Sequence, residues 1–387
     1  MHVKELDKAY ISNTYARVDV TFVSGKGAEL FDDTGKRYID LGGGIAVNTF
    51  GIADDIWANA VVEQVKSLQH VSNYYYTEPQ AKLAKLLCER TGMKKVFFSN
   101  SGAEANECAI KAARKYASDQ YGDQRPNIVT LYNSFHGRTI TTLSATGQDA
   151  LHEHFGPFTP GFLHVHANDL NAMKNALEND HCCAVMMELV QGEGGVLKLE
   201  RDYVQAVAAL CKERDILLVI DEVQTGNGRT GTLYAYEQYG ISPDIVSTAK
   251  GLSGGLPFGA TLFASSTADV LSAGTHGSTF GGNPVCAAAA LSTLERIDAT
   301  LLHGVEERCD YIINELTGAS GVISVSGMGL MLGIECAHDA KDVVKRCMER
   351  GVIVLTAKAK VRLLPPLNIP MALLKEAISI LKEELEK

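Results

Sequence analysis

Short apolar runs alternate with longer amphipathic ones through most of this 387-residue chain, and this alternation restricts the possible fold more than any other feature. Helical patterns, for example at 104–118 and 202–214, separate the runs that match buried strands. The strand candidates are Lys95–Ser99, Asn127–Leu131, Cys183–Val190, Ile216–Val223, Asp244–Thr248 and Gly259–Ala264. Strands that alternate with helices are typical of a mostly parallel sheet covered by helices. We therefore predict an α/β fold.

The pattern changes near residue 286, and the chain is long enough to form more than one hydrophobic core. A helix from Pro284, two short strands, a helix near 339–350 and a last helix at 371–386 indicate a smaller α+β domain. The N-terminal stretch contains a hairpin pattern, AELFDDTGKRYIDL. The predicted division is an N-terminal arm at 1–45 in the region of the smaller domain, a large domain at 46–285 and a small C-terminal domain at 286–387.

Charge and cysteine content limit the possible partners and the compartment. The net charge of −10 is spread along the chain, which argues against nucleic acid or an anionic membrane as the main partner. The first 25 residues contain no apolar signal segment, and no stretch has the length of a membrane-spanning helix. The nine cysteines include no CxxC pair, which favours free thiols in a reducing compartment. We therefore expect a cytoplasmic protein.

Ligand sites in open α/β sheets lie at the carboxyl ends of the strands. The candidate strands end in SNSGAEAN, NSFHGR, ELVQGEGG, DEVQTG and TAKGLSGG. In the first of these, Ser101 and Gly102 stand at a strand-to-helix turn, where free N–H groups could bind a phosphate. Ser101-x-x-Glu104 also matches an ordinary capping box, so both interpretations stay open at this point.

Two charged residues at strand ends point to one cofactor. Lys250 follows an apolar strand and is surrounded by small residues, so a desolvated amine there could attack a carbonyl group. A surface lysine is the alternative. Asp221 ends the most apolar strand, where an unpaired charge costs several kcal/mol, so a cation should face it. A protonated pyridine nitrogen would satisfy this requirement, and a phosphate cup, a lysine and an acid together indicate pyridoxal phosphate chemistry.

The sequence resembles the class III (subgroup II) pyridoxal-phosphate aminotransferases over nearly its whole length. The segments that carry the resemblance are GKGAELFDDTGKRYIDLGGGIAV, SGAEANE, FHGRT, QGEGGV, DEVQTGNGRTG, AKGLSGGLPFGA, HGSTFGGNP and RLLPPL. It implies a fold-type I transferase with a mostly parallel seven-stranded sheet, pyridoxal 5'-phosphate as cofactor, no metal, and a homodimer with shared active sites. Lys250 would form the Schiff base and shuttle the proton, and Asp221 would pair with the ring nitrogen. The other cofactor contacts would come from Gly102 and Ala103 (phosphate), Phe135 (ring face), Gln224 (phenolic oxygen) and Thr279 (phosphate of the neighbouring subunit).

The resemblance also implies how one pocket accepts two substrates. Arg138 would bind the carboxylate distant from the reacting carbon, and Arg362 the carboxylate next to the keto carbon of 2-oxoglutarate. Glu193 would neutralise Arg362 when the amino donor presents only a terminal CH2–NH3+ group. Tyr15 would line the distal end, and Ser278 would approach the substrate. An arginine–carboxylate pair that opens for the second substrate avoids a bare buried charge in either half-reaction.

The expected reaction transfers the δ-amino group of N2-acetyl-L-ornithine to 2-oxoglutarate, giving N-acetyl-L-glutamate 5-semialdehyde and L-glutamate in arginine biosynthesis. Ornithine, succinyldiaminopimelate and 4-aminobutyrate are the alternative donors. Three departures from the family pattern leave the entrance geometry open, namely GIADD at 51–55, Leu189 in place of a proline, and Arg17 where a proline is common.

Two other enzyme classes remain as alternatives. A nucleotide-dependent dehydrogenase would use GMGLMLG at 327–333, but a strand pattern follows it where the dinucleotide fingerprint needs a helix. A metalloenzyme would use His152 and His154 or His164 and His166, although neither pair has a carboxylate or cysteine set to complete a site.

Overall fold

The computed structural model describes residues 3–178 and 181–387. Its strands are β1 Phe22–Lys26, β2 Glu29–Asp32, β3 Arg37–Asp40, β4 Lys95–Ser99, β5 Asn127–Leu131, β6 Phe162–Val165, β7 Cys182–Met187, β8 Val190–Gln191, β9 Leu197–Lys198, β10 Leu217–Asp221, β11 Ile245–Thr248, β12 Gly259–Phe263, β13 Val322–Met328, β14 Met331–Cys336, β15 Val352–Ile353, β16 Leu355–Ala357 and β17 Lys360–Leu363. Its α-helices are α1 Val3–Tyr10, α2 Gly43–Ala46, α3 Asp55–Ser67, α4 Glu78–Thr91, α5 Gly102–Tyr121, α6 Ile140–Ala145, α7 Leu170–Leu177, α8 Arg201–Glu213, α9 Tyr236–Tyr239, α10 Pro284–Leu294, α11 Ala299–Leu316, α12 Ala340–Glu349 and α13 Met371–Glu386.

A seven-stranded sheet with the order β4-β12-β11-β10-β7-β5-β6 forms the centre of the molecule. β12 runs antiparallel to both of its neighbours, and the other adjacent pairs are parallel. The mostly parallel α/β sheet expected from the sequence is therefore confirmed. Of its strands, only β6 was missed, because its four residues lie at the sheet edge and alternate between partly exposed and exposed until Val165.

Two strand predictions were too long. The candidate Cys183–Val190 is β7 followed by a break at Glu188 and the separate short strand β8. The candidate Ile216–Val223 ends at Asp221. In both cases burial continues past the last strand residue, because Glu188, Leu189 and Glu222 are also buried, so the pattern of buried residues could not set the boundary. The correction matters, since it places Glu188 and Asp221 at strand ends.

The central sheet is buried on both faces. Every residue of β10 is buried, and alternate residues belong to different hydrophobic clusters. Leu218 and Ile220 pack on one side with Val204 of α8, whereas Leu217 and Val219 pack on the other with helix α5. Because successive side chains of a strand point to opposite faces, this distribution explains the unbroken apolar run in the sequence.

The N-terminal hairpin joins the C-terminal part of the chain. A second sheet has the order β1-β2-β3-β15, in which Ile39 pairs with Val352, and a third has the order β13-β14-β17-β16. Ile39 and Leu41 share one hydrophobic cluster with residues of α11, α12 and α13. The division at 1–45, 46–285 and 286–387 stays a prediction, and its first two residues lie outside the described residues.

The segment between β3 and α3 connects the C-terminal sheet to the central one. Gly43, Gly44, Ile45 and Ala46 all have positive φ, at 54°, 63°, 64° and 61°. Gly43 has no room for a Cβ atom, which would lie 2.4 Å from the carbonyl oxygen of Leu364. Further along, the Thr49 hydroxyl donates to the carbonyl of Gly251 (2.7 Å), and the Thr49 carbonyl accepts from the N–H of Leu367 (2.9 Å). Thr49 therefore bridges the turn of Lys250 and the chain that leaves β17.

Within the described ranges, no helix is long and apolar enough to cross a membrane. All nine cysteines are free.

Candidate active site

The carboxyl ends of the central strands enclose a cavity of about 480 Å³. Its wall is built by the segments singled out at the strand ends, together with the glycine-rich turn before β12. The predicted site residues that border this cavity are Gly102, Ala103, Phe135, Arg138, Asp221, Gln224 and Lys250. The fold thus brings together side chains that are up to about 150 residues apart in the sequence.

The N-terminus of α5 forms one end of the cavity. The Ser101 hydroxyl accepts from the N–H of Glu104 (3.2 Å), and the Glu104 carboxylate accepts from the N–H of Asn100 (2.6 Å). The first-turn N–H groups of Gly102 and Ala103 have no partner within the helix and lie at the cavity. A Cβ atom on Gly102 would come within 2.6 Å of Val223. A helix cap and an anion cradle therefore coexist at this turn, and the two interpretations do not exclude each other.

Lys250 lies at the opposite wall, in a single 3-10 turn after β11. Its backbone has φ of +46°, a conformation that is uncommon for a residue with a side chain. The side chain is partly exposed only because it borders the cavity, and protein surrounds it otherwise. Burial lowers the pKa of the Lys250 amine, although the charges of Glu193 and Asp221 act in the opposite direction. A neutral amine is thereby favoured, which is the nucleophilic form.

Asp221 is held by a closed hydrogen-bond network at the end of β10. Its Oδ2 accepts from Asn106 Nδ2 and from His136 Nδ1, both at 2.8 Å, and its Oδ1 accepts from the N–H of Val223 at 3.0 Å. Asn106 Nδ2 also donates to the carbonyl of His136 (2.8 Å). Asp221 and His136 are both buried. The three donors fix the carboxylate in one orientation, and the carboxylate also borders the cavity, where a ligand cation can face it.

Glu193 and Arg362 form an ion pair beside Gln224. Arg362 Nη1 lies 2.7 Å from Glu193 Oε1 and 3.4 Å from Gln224 Oε1. The Arg362 side chain is 3% exposed and that of Glu193 is 30% exposed. Burial alone would raise the pKa of Glu193, but the charge and hydrogen bond of Arg362 outweigh it, so the pKa is lowered. Strands β14, β16 and β17 position Arg362, whereas a loop after β8 carries Glu193.

Arg138 and Phe135 belong to the loop after β5. The Arg138 guanidinium lies 5.9 Å from the centre of the Phe135 ring, and Arg138 is exposed at the cavity mouth. The loop is held from below by the Glu188 carboxyl group, whose Oε2 accepts from the N–H of Phe135 (2.8 Å). Burial and the charge of Asp221 raise the pKa of Glu188 well above its usual value.

Five predicted substrate or cofactor residues do not border the cavity in the single chain. Glu193 and Arg362 lie beside it, in contact with the cavity residue Gln224. The other three are Ser278, Thr279 and Tyr15. Ser278 lies next to the cavity, because its hydroxyl accepts from Nδ2 of the cavity residue Asn100 (3.2 Å). Thr279 is exposed beside it. Tyr15 is 70% exposed, and its ring lies 5.6 Å from the guanidinium of Arg17. The roles implied for these three residues stay predictions.

Sequence reasoning missed three residues of the cavity wall. Asn106, His136 and Glu188 stand within the motifs SGAEANE, SFHGR and ELVQGE, but each was passed over in favour of a neighbour. An available signal was their polarity in otherwise buried segments, because a buried polar side chain needs a partner.

The residues at the three departures from the family pattern make ordinary structural contacts. In GIADD, Asp54 caps α3 by accepting from the N–H of Trp57 (2.9 Å) and pairs with Arg296 (2.9 Å). Arg17 pairs with Asp7 at the surface (2.9 Å), and Leu189 is fully buried in the core. In the described part of the chain, no three His, Cys, Asp or Glu side chains are grouped so that they could hold a metal ion.

Comparison with known proteins identifies the family. Residues 10–385 match the model of the family described as aminotransferase class-III. An acetylornithine aminotransferase from Haemophilus ducreyi is 51% identical over 387 residues, which cover 100% of this chain and 98% of that protein. A succinylornithine transaminase from Citrobacter koseri is 45% identical over 365 residues, which cover 92% of this chain and 90% of that protein.

A solved structure agrees with these matches. The ornithine aminotransferase from Toxoplasma gondii, with partial occupancy of PLP at its active site, is 31% identical with a TM-score of 0.94, over 99% of this chain and 94% of that chain. The fold is thus that of fold-type I transferases, and the protein is a pyridoxal-phosphate-dependent transaminase. Matched over nearly its whole length by the family model and by these relatives, the chain belongs to the class-III aminotransferase family.

Proposed function

We propose that this enzyme transfers the δ-amino group of N2-acetyl-L-ornithine to 2-oxoglutarate, giving N-acetyl-L-glutamate 5-semialdehyde and L-glutamate, as a step of arginine biosynthesis. The observation that carries the proposal is the 2.7 Å ion pair between Glu193 and Arg362 next to the cavity that Lys250 borders. A closed pair leaves no free cation for a donor with only a terminal CH2–NH3+ group, and an open pair offers an arginine to a 2-oxo acid. The name of the 51% identical relative supports the acetylated donor.

The cavity fits pyridoxal phosphate at five points. The first turn of α5 offers the N–H groups of Gly102 and Ala103 to a phosphate, and Asp221 presents a carboxylate oxygen to a ring nitrogen. Lys250 supplies the amine, Phe135 the ring face, and Gln224 a side-chain amide for the phenolic oxygen. When bound, the cofactor supplies an aldehyde that takes up the amino group and a ring that withdraws electrons from the reacting carbon.

Lys250 moves the proton in this mechanism. Burial lowers the pKa of Nζ, which favours its acting as a proton acceptor within the cavity. The negative charges of Glu193 and Asp221 act against burial and raise the pKa of the Lys250 amine, which helps the amine to hold a proton between transfers. The bond from the Thr49 hydroxyl to the Gly251 carbonyl fixes the segment that carries Lys250, and this would hold Nζ in place when the cofactor is bound.

Two arginines select the substrates. Arg138, exposed at the cavity mouth, would bind the carboxylate distant from the reacting carbon. Arg362 would bind the carboxylate next to the keto carbon, and its Nε has no hydrogen-bond partner among the described residues and is buried. An unpaired buried N–H of this kind favours an incoming carboxylate oxygen. Tyr15 and Ser278 would complete the substrate contacts.

The assembly that we propose is a cytoplasmic homodimer, whose partners are otherwise small molecules and not nucleic acid or a membrane. Thr279 would reach the phosphate bound by the neighbouring subunit. Support comes from its exposure beside the cavity residue Asn100, and from an exposed aromatic surface formed by Tyr74, Tyr75, Tyr76 and Phe280. Exposed apolar surfaces of this kind mark protein interfaces.

The donor is tested by steady-state kinetics with 2-oxoglutarate as acceptor. We expect kcat/KM for N2-acetyl-L-ornithine to exceed that for L-ornithine, 4-aminobutyrate and succinyldiaminopimelate by at least roughly tenfold. A preference for unacetylated ornithine would overturn the donor assignment and leave the transaminase chemistry intact. N2-succinyl-L-ornithine is the second candidate, because a succinylornithine transaminase is 45% identical to this chain. It carries an additional carboxylate, so its kcat/KM measures whether the distal end of the site accepts one.

A further inference from the structure

Three carboxyl groups belong to the site, and they differ in their partners. Asp221 accepts from His136, Asn106 and the N–H of Val223, and Glu193 pairs with Arg362. Glu188 has neither a cation nor a side-chain donor within hydrogen-bond distance among the described residues, and its bond is the one from the N–H of Phe135. It follows β7 directly and is 6% exposed.

The charges around Glu188 do not favour a third anion. Asp221 and Glu193 repel a charge on Glu188, while Lys250 attracts it. Glu193 is already paired with Arg362, and Asp221 accepts from the three donors around it, so an ionised Glu188 would be an anion without a paired cation. An additional charge on a carboxyl group that is almost fully buried and accepts one neutral N–H would cost several kcal/mol.

We propose that Glu188 is a positioning residue that acts as an uncharged carboxylic acid and fixes the loop that carries Phe135 and Arg138. One oxygen, Oε2, accepts from the N–H of Phe135 (2.8 Å), and the proton stays on the other oxygen. The inference deepens the proposed function, since it rests on the roles given there to Phe135 and Arg138. Burial, followed by the charge of Asp221, raises the pKa of Glu188 well above its usual value, in agreement with the geometry.

The position of Glu188 explains why this bond affects the substrate site. The next residue of the loop is anchored separately, because the N–H of His136 donates to Thr146 Oγ1 (2.9 Å). Phe135 has its ring at the cavity and Arg138 above that ring at 5.9 Å. If the N–H of Phe135 loses its acceptor, the ring and the guanidinium stacked on it are free to move together. Substrate binding should therefore weaken more than the turnover step.

Three variants test the proposal. Glu188→Gln keeps an uncharged acceptor of the same shape, and Glu188→Leu removes the acceptor. Glu222→Gln is the matched control, because Glu222 is equally buried and follows Asp221 directly, but bonds Thr225 and Tyr236 and does not border the cavity.

The first readout is infrared absorption of the protein with and without cofactor. At pH 8 we expect a protonated-carboxyl C=O band in the native protein and in Glu222→Gln that is missing in Glu188→Gln.

The second readout is the pH midpoint of the visible absorbance of the holoenzyme. We expect Glu188→Gln to leave it within about 0.3 units, because an uncharged group replaces an uncharged group. The proposal would be overturned if the C=O band were the same in the native protein and in Glu188→Gln. It would also be overturned if Glu188→Gln lowered the midpoint of the absorbance by about 1 pH unit.

The third readout is the separation of KM from kcat. Glu188→Leu should raise KM for donor and acceptor by roughly tenfold, with a smaller change in kcat, because a buried N–H is left unpaired. Glu188→Gln should restore KM to within about threefold of the native value, whereas an equal defect in both variants would contradict an uncharged role. If Glu188→Leu does not fold, the infrared band and the midpoint of Glu188→Gln decide the question. A holoenzyme that shows the band but turns over no acylated ornithine would support this inference and refute the donor assignment.

Discussion

The site has two ends, the cavity with Asp221 and the ion pair beside it, and they hold their acids in opposite ways. Asp221 is buried, receives hydrogen bonds on both oxygens and sits on the central sheet. Glu193 is 30% exposed, lies on a loop and is tied to Arg362 by a single 2.7 Å contact. Both half-reactions use the same chemistry at the ring nitrogen, which needs a fixed carboxylate such as Asp221. The exchange of one substrate for the other needs a carboxylate that can move, such as Glu193. One enzyme can therefore keep a rigid reacting end and an adjustable recognition end within one site.

The largest expected effect comes from the rigid end. Asp221→Asn removes the anion that stabilises a proton on the ring nitrogen, so kcat should fall by about 10⁴-fold. Because both half-reactions need this proton, single-turnover rates with the donor and with 2-oxoglutarate should fall by similar factors. Asp244→Asn is the control, since Asp244 is a partly buried aspartate that accepts from the N–H of Leu218 at the other end of the sheet. If Asp221→Asn lowered the single-turnover rate of only one half-reaction, Asp221 would not serve a step that both half-reactions share.

Arg362→Ala tests the adjustable end. The substitution removes the cation that 2-oxoglutarate needs, and we expect its half-reaction to lose about 10³-fold in kcat/KM, or about 4 kcal/mol. The donor half-reaction should lose much less, because there the arginine is only neutralised by Glu193. Single-turnover measurements with each substrate give the two losses separately. Equal losses would show that Arg362 does not act as a switch.

The sequence predicted most of the rigid end and much less of the adjustable end. Strand periodicity and the apolar run before Asp221 placed β10 and its acid, because a strand buried on both faces is apolar throughout. The network around Asp221 could not be predicted, since Asn106 and His136 are 115 and 85 residues away from it.

Arg362 and Glu193 are 169 residues apart and pair through two different sheets, so no local pattern joins them and only the family resemblance suggested their contact. Tyr15 and Thr279, which the resemblance placed at the site, are exposed in the single chain, so no contact within this chain supports their predicted roles.

The cost of burying a carboxyl group next to Asp221 should appear in the pH dependence of the free energy of unfolding. Burial raises the pKa of Glu222 from 4.5 to about 7. The folded protein then holds a proton that the unfolded chain has released, so stability falls as pH rises from about 4.5 and the loss is complete above about 7. For this shift the loss is about 3 kcal/mol.

Glu222→Gln should remove that dependence. The free energy of unfolding is measured with urea at pH 4.5 and at pH 8. The decrease from pH 4.5 to pH 8 should be about 3 kcal/mol smaller in Glu222→Gln than in the native protein. Glu193→Gln is the comparison from the adjustable end, where Arg362 lowers the pKa of the acid and the sign reverses. An identical pH dependence in native protein and Glu222→Gln would contradict the raised pKa.

The smallest effect concerns the bridge between the two ends. The buried Thr49 hydroxyl donates to the carbonyl of Gly251, next to Lys250, and the Thr49 carbonyl accepts from Leu367, beyond the strand of Arg362. Thr49→Val keeps the shape but leaves the Gly251 carbonyl unpaired, so the free energy of unfolding should fall by about 1–2 kcal/mol. Thr49→Ser retains the hydroxyl and serves as the control. If the bridge also sets the distance between the rigid and adjustable ends, Thr49→Val should slow both half-reactions by the same small factor. A loss of stability without any change in either rate would mean that the two ends keep their spacing independently of Thr49.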